Sequence, residues 1–191
     1  MVSRQLNTRC FSACVDVITG SVRVIKKTDL KDLGSAKRQY REMLLLNNLS
    51  HPNVLHLIDV FSADQELTPS SNMFYLVLPH MECNLRELIG QKGLNLHDEN
   101  VINLSHQLLC GLEYIHSRAL IHRDLKPANI GVTKDATRQW LLRILDFGNA
   151  RLITREAKMT TIEITTPCYR ATESIYQQLD YTEKGQFPRD P

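Results

Sequence analysis

The chain lacks any apolar run approaching the ~20 residues a membrane-spanning helix needs, although 42% of its 191 residues are hydrophobic. Its N-terminus, MVSRQLNTRCFSACVDVITG, has no long apolar core and is interrupted by Asp16, so a secretory signal peptide is not expected. Cysteine is scarce and scattered: Cys10, Cys14, Cys83, Cys110 and Cys168 form no C-x-x-C pair and no zinc-type cluster with histidine. An odd number of widely spaced thiols argues against a disulfide scaffold and for a reducing compartment. Charge of one sign is also lacking. The formal net charge of +2 offers no whole-chain argument for nucleic acid or an anionic membrane. No internal repeat or low-complexity tract is present. The expectation is a soluble, intracellular globular chain of one ordinary domain's length.

What is present reads as strands with one helix, followed mostly by helix. FSACVDVITGSVRVIKK predicts two strands around Thr19-Gly20-Ser21, with Val22, Val24 and Lys26 on one face and Arg23, Ile25 and Lys27 on the other. SAKRQYREMLLLNNLS predicts a helix with Ser35 as N-cap. Ala36, Tyr40, Met43 and Leu44 supply its apolar positions, Glu42 lies near its middle, and Asn47 and Asn48 end it. HPNVLHLIDVFS and NMFYLVLPHM read as strands joined by ADQELTPSS. NLRELIG reads as a short helix ending at Gly90. DENVINLSHQLLCGLEYIHSRA reads as a long amphipathic helix, with Val101, Leu104, Leu108, Leu112 and Ile115 at three- and four-residue steps. Short strands are expected around IGV and WLLRIL. Beyond residue 150 the chain is rich in threonine and charge and reads as loop. This order suggests two lobes with a site near the 79–83 connection.

The chemistry concentrates in HRDLKPAN, residues 122–129, and LDFG, residues 145–148. Phosphoryl transfer needs metal-held phosphates, a positioned hydroxyl and neutralised charge, with little covalent work by the protein. Asp124 suits orientation or deprotonation of a hydroxyl, and Lys126 suits neutralisation of a transferring phosphoryl group. The amide oxygen of Asn129 and the carboxylate of Asp146 are hard donors suited to magnesium. Taken singly, an aspartate in a turn or a lysine at a surface is ordinary. The two motifs in this order and at this separation are specific.

With these motifs the chain resembles the eukaryotic protein kinases. Within them it is most similar to the mitogen-activated type, particularly the stress-activated branch. TGSVRVIKK, YREMLLLNNLSHPNVLHLIDVF, YLVLPHM, GLEYIHSRALIHRDLKPANIGV, RILDFGNARL and CYRATE carry the resemblance, which covers roughly residues 10 to 176. It implies an α+β, bilobal fold: a partial N-terminal lobe over 1–79, and a partial C-terminal lobe over 80–191 with the catalytic loop and activation segment. It implies a serine/threonine kinase using ATP and Mg2+ in intracellular signalling. Substrates would carry proline after the acceptor, the activator would be an upstream dual-specificity kinase, and the setting would be cytoplasm and nucleus, with no nucleic-acid or membrane partner. Asp124 and Lys126 take catalytic positions. Lys26, with Lys27 as its neighbouring alternative, falls where the family's phosphate-binding lysine sits, and Glu42 matches the glutamate that pairs with it. Leu78 falls at the gatekeeper. Pro79, His80 and Met81 match the hinge that binds adenine through backbone groups. Asn129 and Asp146 match the metal ligands.

Departures from the family pattern are equally legible. The family's glycine-rich loop lets backbone N–H groups approach phosphates, yet RQLNTRCF holds no glycine, and Arg4, Leu6 and Arg9 stand at the glycine positions. That loop is therefore expected to be degenerate or missing. Val24 replaces the usual alanine above adenine. The activation triplet reads Thr161-Ile162-Glu163 in place of Thr-x-Tyr. Thr161 can accept phosphate and pair with Arg123 and Arg151; Glu163 is either a charge mimic or drift. Ala171-Thr172-Glu173 lacks the proline of Ala-Pro-Glu, and no helical base follows it before Pro191, so an incomplete C-terminal lobe is expected. Two readings stand: an active kinase, or a catalytically impaired isoform or pseudokinase-like binding fragment.

Overall fold

The computed structural model describes residues 11–29, 33–62, 73–91, 98–135, 137–153 and 169. These group into two compact units. One runs to Ser50 and resumes from Leu55 to Met81. The other takes His51–Val54 and continues from Glu82.

The first unit is an antiparallel sheet with one helix. Strands β1 (Phe11–Val15), β2 (Val22–Asp29), β3 (Asp59–Ser62) and β4 (Met73–Pro79) lie in the order β1-β2-β4-β3. The β1–β2 turn forms where it is expected. Asp16 Oδ1 accepts from the N–H groups of Ile18 and Thr19 at 3.0 and 3.1 Å, and Gly20 adopts φ +69°, a conformation that disfavours a Cβ. In register, Val24 pairs with Leu78 and Lys26 with Leu76. Leu76 and Leu78 are buried, so the predicted Val22/Val24/Lys26 face is the face that carries β4's buried side chains.

Helix α1 (Leu33–Asn48) ends at the expected asparagine but begins three residues earlier than an N-cap at Ser35 implies, so Ser35 is its third residue. Its buried stripe runs Glu42, Leu46 and then Leu49 just past its end. Tyr40 and Leu44, expected on the apolar face, are 56% and 44% exposed. Two residues along a helix turn by about 200°, so a helix that buries Glu42 and Leu46 turns Tyr40 and Leu44 to solvent. The strand expected from His51 shortens to β3. Pro52 has no N–H for a ladder, and His51–Val54 form a turn closed by Val54 N–H donating to the His51 carbonyl at 3.1 Å.

The second unit contains β5 (Cys83–Asn84), α2 (Leu85–Gly90), α3 (Asp98–Ser117), β6 (Leu120–Ile121), β7 (Ile130–Lys134), β8 (Trp140–Ile144) and β9 (Arg151–Leu152). Sheet order is β5-β7-β8, and β6 pairs with β9 separately. Helix α2 starts on a capping box in which Asn84 and Glu87 each satisfy the other's backbone N–H. Its core joins Leu88, Leu104, Ile130, Val132 and Leu142. The outer edge of β8 is closed by two residues from distant sequence, Gln107 through its side chain and Asn53 through side chain and backbone. Gln107 donates to the Trp140 carbonyl and accepts from the Leu142 N–H, both at 2.8 Å. Asn53 donates to the Leu142 carbonyl at 3.0 Å, and its own carbonyl accepts from the Ile144 N–H at 2.9 Å. An edge strand's backbone groups are thereby paired without another strand. Gly111 permits this approach: a Cβ there would sit 3.0 Å from the Asn53 carbonyl oxygen and from Ile144 Cδ1.

Among the described residues, no helix is long and apolar enough to cross a membrane.

Candidate active site

In the second unit, both ends of HRDLKPAN are fastened to both ends of the 145–150 segment. Before the loop, Ile121 pairs with Arg151; after it, Ile130 pairs with Ile144. Between these ends the Leu145 N–H donates to the Asn129 carbonyl at 2.8 Å, and Arg123 Nε donates to the Asn149 carbonyl at 2.6 Å. The His122 ring meets Phe147 edge-on at 5.1 Å, and Phe147 is fully buried.

His122 is 0% exposed. Burial lowers its pKa, although the hydrogen bond to Leu145 and the charges of Asp146 and Asp124 oppose the shift. The neutral ring with its proton on Nε2 satisfies both neighbours: Nε2 donates to the Leu145 carbonyl at 2.7 Å, and Nδ1 accepts from the Asp124 N–H at 3.3 Å. A neutral imidazole therefore links the backbone of Asp124 to the residue preceding Asp146.

Asp124 is only 6% exposed. Its Oδ2 accepts from Lys126 Nζ at 2.8 Å and from Asn129 Nδ2 at 3.1 Å. Asn129 Nδ2 also donates to the Asp124 carbonyl at 2.8 Å. A short 3-10 turn, Pro127–Asn129, makes this possible by returning the chain over Asp124. With its nitrogen committed to Asp124, Asn129 leaves an amide oxygen as a neutral hard donor. Asp146 is exposed, and its Oδ1 accepts from the Gly148 N–H at 3.4 Å. One amide oxygen and one carboxylate fit a magnesium ion that takes its other oxygens from phosphates and water. Arg123 and Asp146 hold φ of +67° and +61°, left-handed conformations costly for residues with a Cβ. Each stands where the chain turns sharply inside the fastened loops.

In the first unit, Lys26 Nζ donates to both carboxylate oxygens of Glu42 at 2.6 Å. Glu42 is 4% exposed and lies on the buried stripe of α1. The same ammonium lies 5.7 Å from the centre of the Phe11 ring. Of the two candidate lysines, Lys26 takes this pair and Lys27 is exposed. Leu78 and Pro79 are buried at the end of β4. Met81 follows, with its N–H and carbonyl unpaired among the described residues. Thr161, Glu163, the Ala171-Thr172-Glu173 triplet and the positions from Arg4 to Arg9 lie outside the described residues.

The part played by His122 is visible only in the fold; its position two residues before Asp124 is the one signal of it in the sequence. Asn53 and Gln107 carried no signal, being 54 residues apart.

The protein kinase domain model matches residues 9–186. This chain belongs to the protein kinase family. Kinases of this family act with ATP and a divalent metal. Among curated kinases, the chain is 42% identical over 153 residues to mitogen-activated protein kinase 13 of Homo sapiens, covering 78% of this chain and 38% of that one. It is 41% identical over 179 residues to mitogen-activated protein kinase 12 of Danio rerio, covering 92% of this chain and 46% of that one. The chain therefore spans less than half the length of these relatives. Its fold is like that of a chain in the crystal structure of the yeast RNA Pol II CTD kinase CTDK-1 complex. The TM-score is 0.77 at 24% identity, over 92% of this chain and 54% of that one.

Proposed function

We propose that this chain is a serine/threonine kinase of the mitogen-activated type, transferring the γ-phosphoryl group of ATP to protein hydroxyls. The arrangement around Asp124 carries the reading. Its carboxylate is oriented by Lys126 and Asn129, beside a segment that presents Asp146.

Asp124 would accept the proton as the substrate oxygen bonds to the γ-phosphorus. The bond to the β–γ bridging oxygen breaks and ADP leaves. Lys126 neutralises charge on the group in flight. A magnesium ion on Asn129 and Asp146 would supply the charge that binds phosphate oxygens. Glu42 would hold Lys26 extended for the α- and β-phosphates. Met81 would offer adenine both backbone groups, and Pro79 only a carbonyl, since proline has no N–H. The kinship with kinases 12 and 13 supports protein substrates and an upstream kinase; on this reading the substrates carry Ser/Thr-Pro, a dual-specificity kinase acts on Thr161, and the setting is cytoplasm and nucleus.

A second reading, a nucleotide- or partner-binding chain with impaired catalysis, is favoured by Arg4, Leu6 and Arg9 at the glycine positions and by Glu163 in the activation triplet. One pair of measurements separates them. Thermal melting of the parent should shift upward with Mg-ATP, and Asp146→Asn should abolish the shift. Transfer of phosphate to a Ser-Pro peptide by the parent, lost in Asp124→Asn while the melting shift persists, establishes catalysis. A shift without transfer establishes the second reading, and no shift in the parent overturns both nucleotide-binding forms.

A further inference from the structure

The Lys26 ammonium meets two groups from different elements of the first unit. Glu42, on α1, takes it through both carboxylate oxygens at 2.6 Å. Two fixed distances to two atoms place Nζ only on an arc about the line joining those oxygens, and lysine's flexible four-carbon stem can move along it. The second group comes from β1. Phe11 is the cross-strand partner of Lys26, so the two side chains leave the sheet on the same face. Phe11 is half-buried, and Nζ lies over its ring, 5.7 Å from the centre. That is inside the ~6 Å over which an aromatic face attracts an ammonium.

We infer that Phe11 is a positioning residue for the nucleotide phosphates: the face of its ring closes the arc that Glu42 leaves open and fixes the Lys26 ammonium where phosphate oxygens meet it. The inference rests on the kinase reading, which gives Lys26 the α- and β-phosphates. A phenyl face attracts a cation through its quadrupole and carries no net charge. A second carboxylate would spend the lysine's positive charge; the ring steers the ammonium and leaves that charge for phosphate. The ring also shields one flank of the ion pair, whose lysine and glutamate side chains are 19% and 5% exposed. Charges with less water around them attract more strongly, so the same ammonium holds a phosphate oxygen better. An aliphatic side chain at position 11 would cover that flank but offer no electrostatic hold.

The test is calorimetric titration of the full chain with Mg-ATP and, separately, with Mg-tripolyphosphate, which carries phosphates without base or sugar. Phe11→Leu keeps apolar bulk and removes the ring; it should weaken both ligands about 2–5-fold, the worth of one cation–π contact. Phe11→Tyr keeps the ring and should bind both as the parent does, a rescue that loss of packing alone would not predict. Melting of the free chain checks folding, and Phe11→Met is the second ring-less variant should Phe11→Leu unfold. Binding unchanged or tightened by loss of the ring overturns the proposal and leaves the kinase reading intact. Weakening of Mg-ATP alone also overturns it, since the ring then serves the base. So does a parent that binds Mg-ATP but not Mg-tripolyphosphate, because phosphate contacts then contribute too little to need positioning. A parent that binds neither ligand overturns the proposal and the kinase reading together.

Discussion

The two units hold their candidate residues by different means. In the first, Lys26 is positioned by one carboxylate, Glu42, presented from a helix sixteen residues away. In the second, Asp124, Asn129 and the backbone around Asp146 are held by strand pairs at both ends and by His122, Leu145 and Arg123 between them. An ion pair between two side chains is broken by a single substitution. A set of backbone ties spreads the loss, and it depends more on the packing behind it.

The largest effect is expected from breaking the Lys26–Glu42 pair. Lys26→Met leaves Glu42 buried without its cation and should lower stability by about 2–3 kcal/mol, measured as a shift in urea midpoint. Adding Glu42→Leu should recover part of that loss, because the buried carboxylate that has lost its cation is then gone. If the single and double variants are equally unstable, the ion pair is not what the first unit depends on. Next in size is Gly111→Ala. Its methyl group meets the Asn53 backbone at 3.0 Å and should cost about 1–3 kcal/mol by pushing α3 from the edge of β8. An unchanged melting temperature would show that the edge yields easily.

A pH titration sharpens the comparison. Burial holds the pKa of His122 below its usual 6.5. Above that pH the ring is neutral whether the chain is folded or unfolded, and it contributes no pH dependence. Below it the unfolded chain takes up a proton that the folded chain refuses. Stability is therefore lost as pH falls from 6.5 toward the folded pKa, by at most about 1.4 kcal/mol per pH unit. His51, also lowered by burial, acts in the same direction. His122→Gln should flatten the acid limb without removing it; an identical limb would mean that His122 is not excluded from protonation. The smallest effect is expected at Lys134, whose ammonium lies 4.8 Å from the centre of the Trp140 ring. Lys134→Ala should cost about 0.5 kcal/mol by thermal melting, and a loss above that would place more of the β7–β8 hairpin's stability at its tip.

Much of the fold was legible because its signals are local. The β1–β2 hairpin declares itself through Gly20, α2 through its end at Gly90, and α3 through the apolar spacing of Leu104, Leu112 and Ile115, although Val101, expected on the same stripe, is 46% exposed. The misreadings fall where a distant partner decides. Tyr40 and Leu44 are apolar at helical spacing, but α1 turns Glu42 inward. His51 was expected to open a strand, yet Pro52 and the bond from Ile144 to Asn53 make His51–Val54 a turn. The candidate site was legible as a set of residue types, through the resemblance. Its supports, neutral His122 and the Gln107–Asn53 closure of β8, were not.

By itself the sequence determined the chemistry on offer: a carboxylate, a lysine and an amide within six residues, a second carboxylate near them, and turns set by glycine, proline and asparagine. These follow from side-chain identity and local backbone sterics, which need no partner. Tertiary structure alone decided that Lys26 and not Lys27 meets Glu42, that His122 stays neutral, and that Asp146 is presented from a left-handed turn. Each of those depends on desolvation and on hydrogen bonds across the fold, and both arise only once distant segments have packed together.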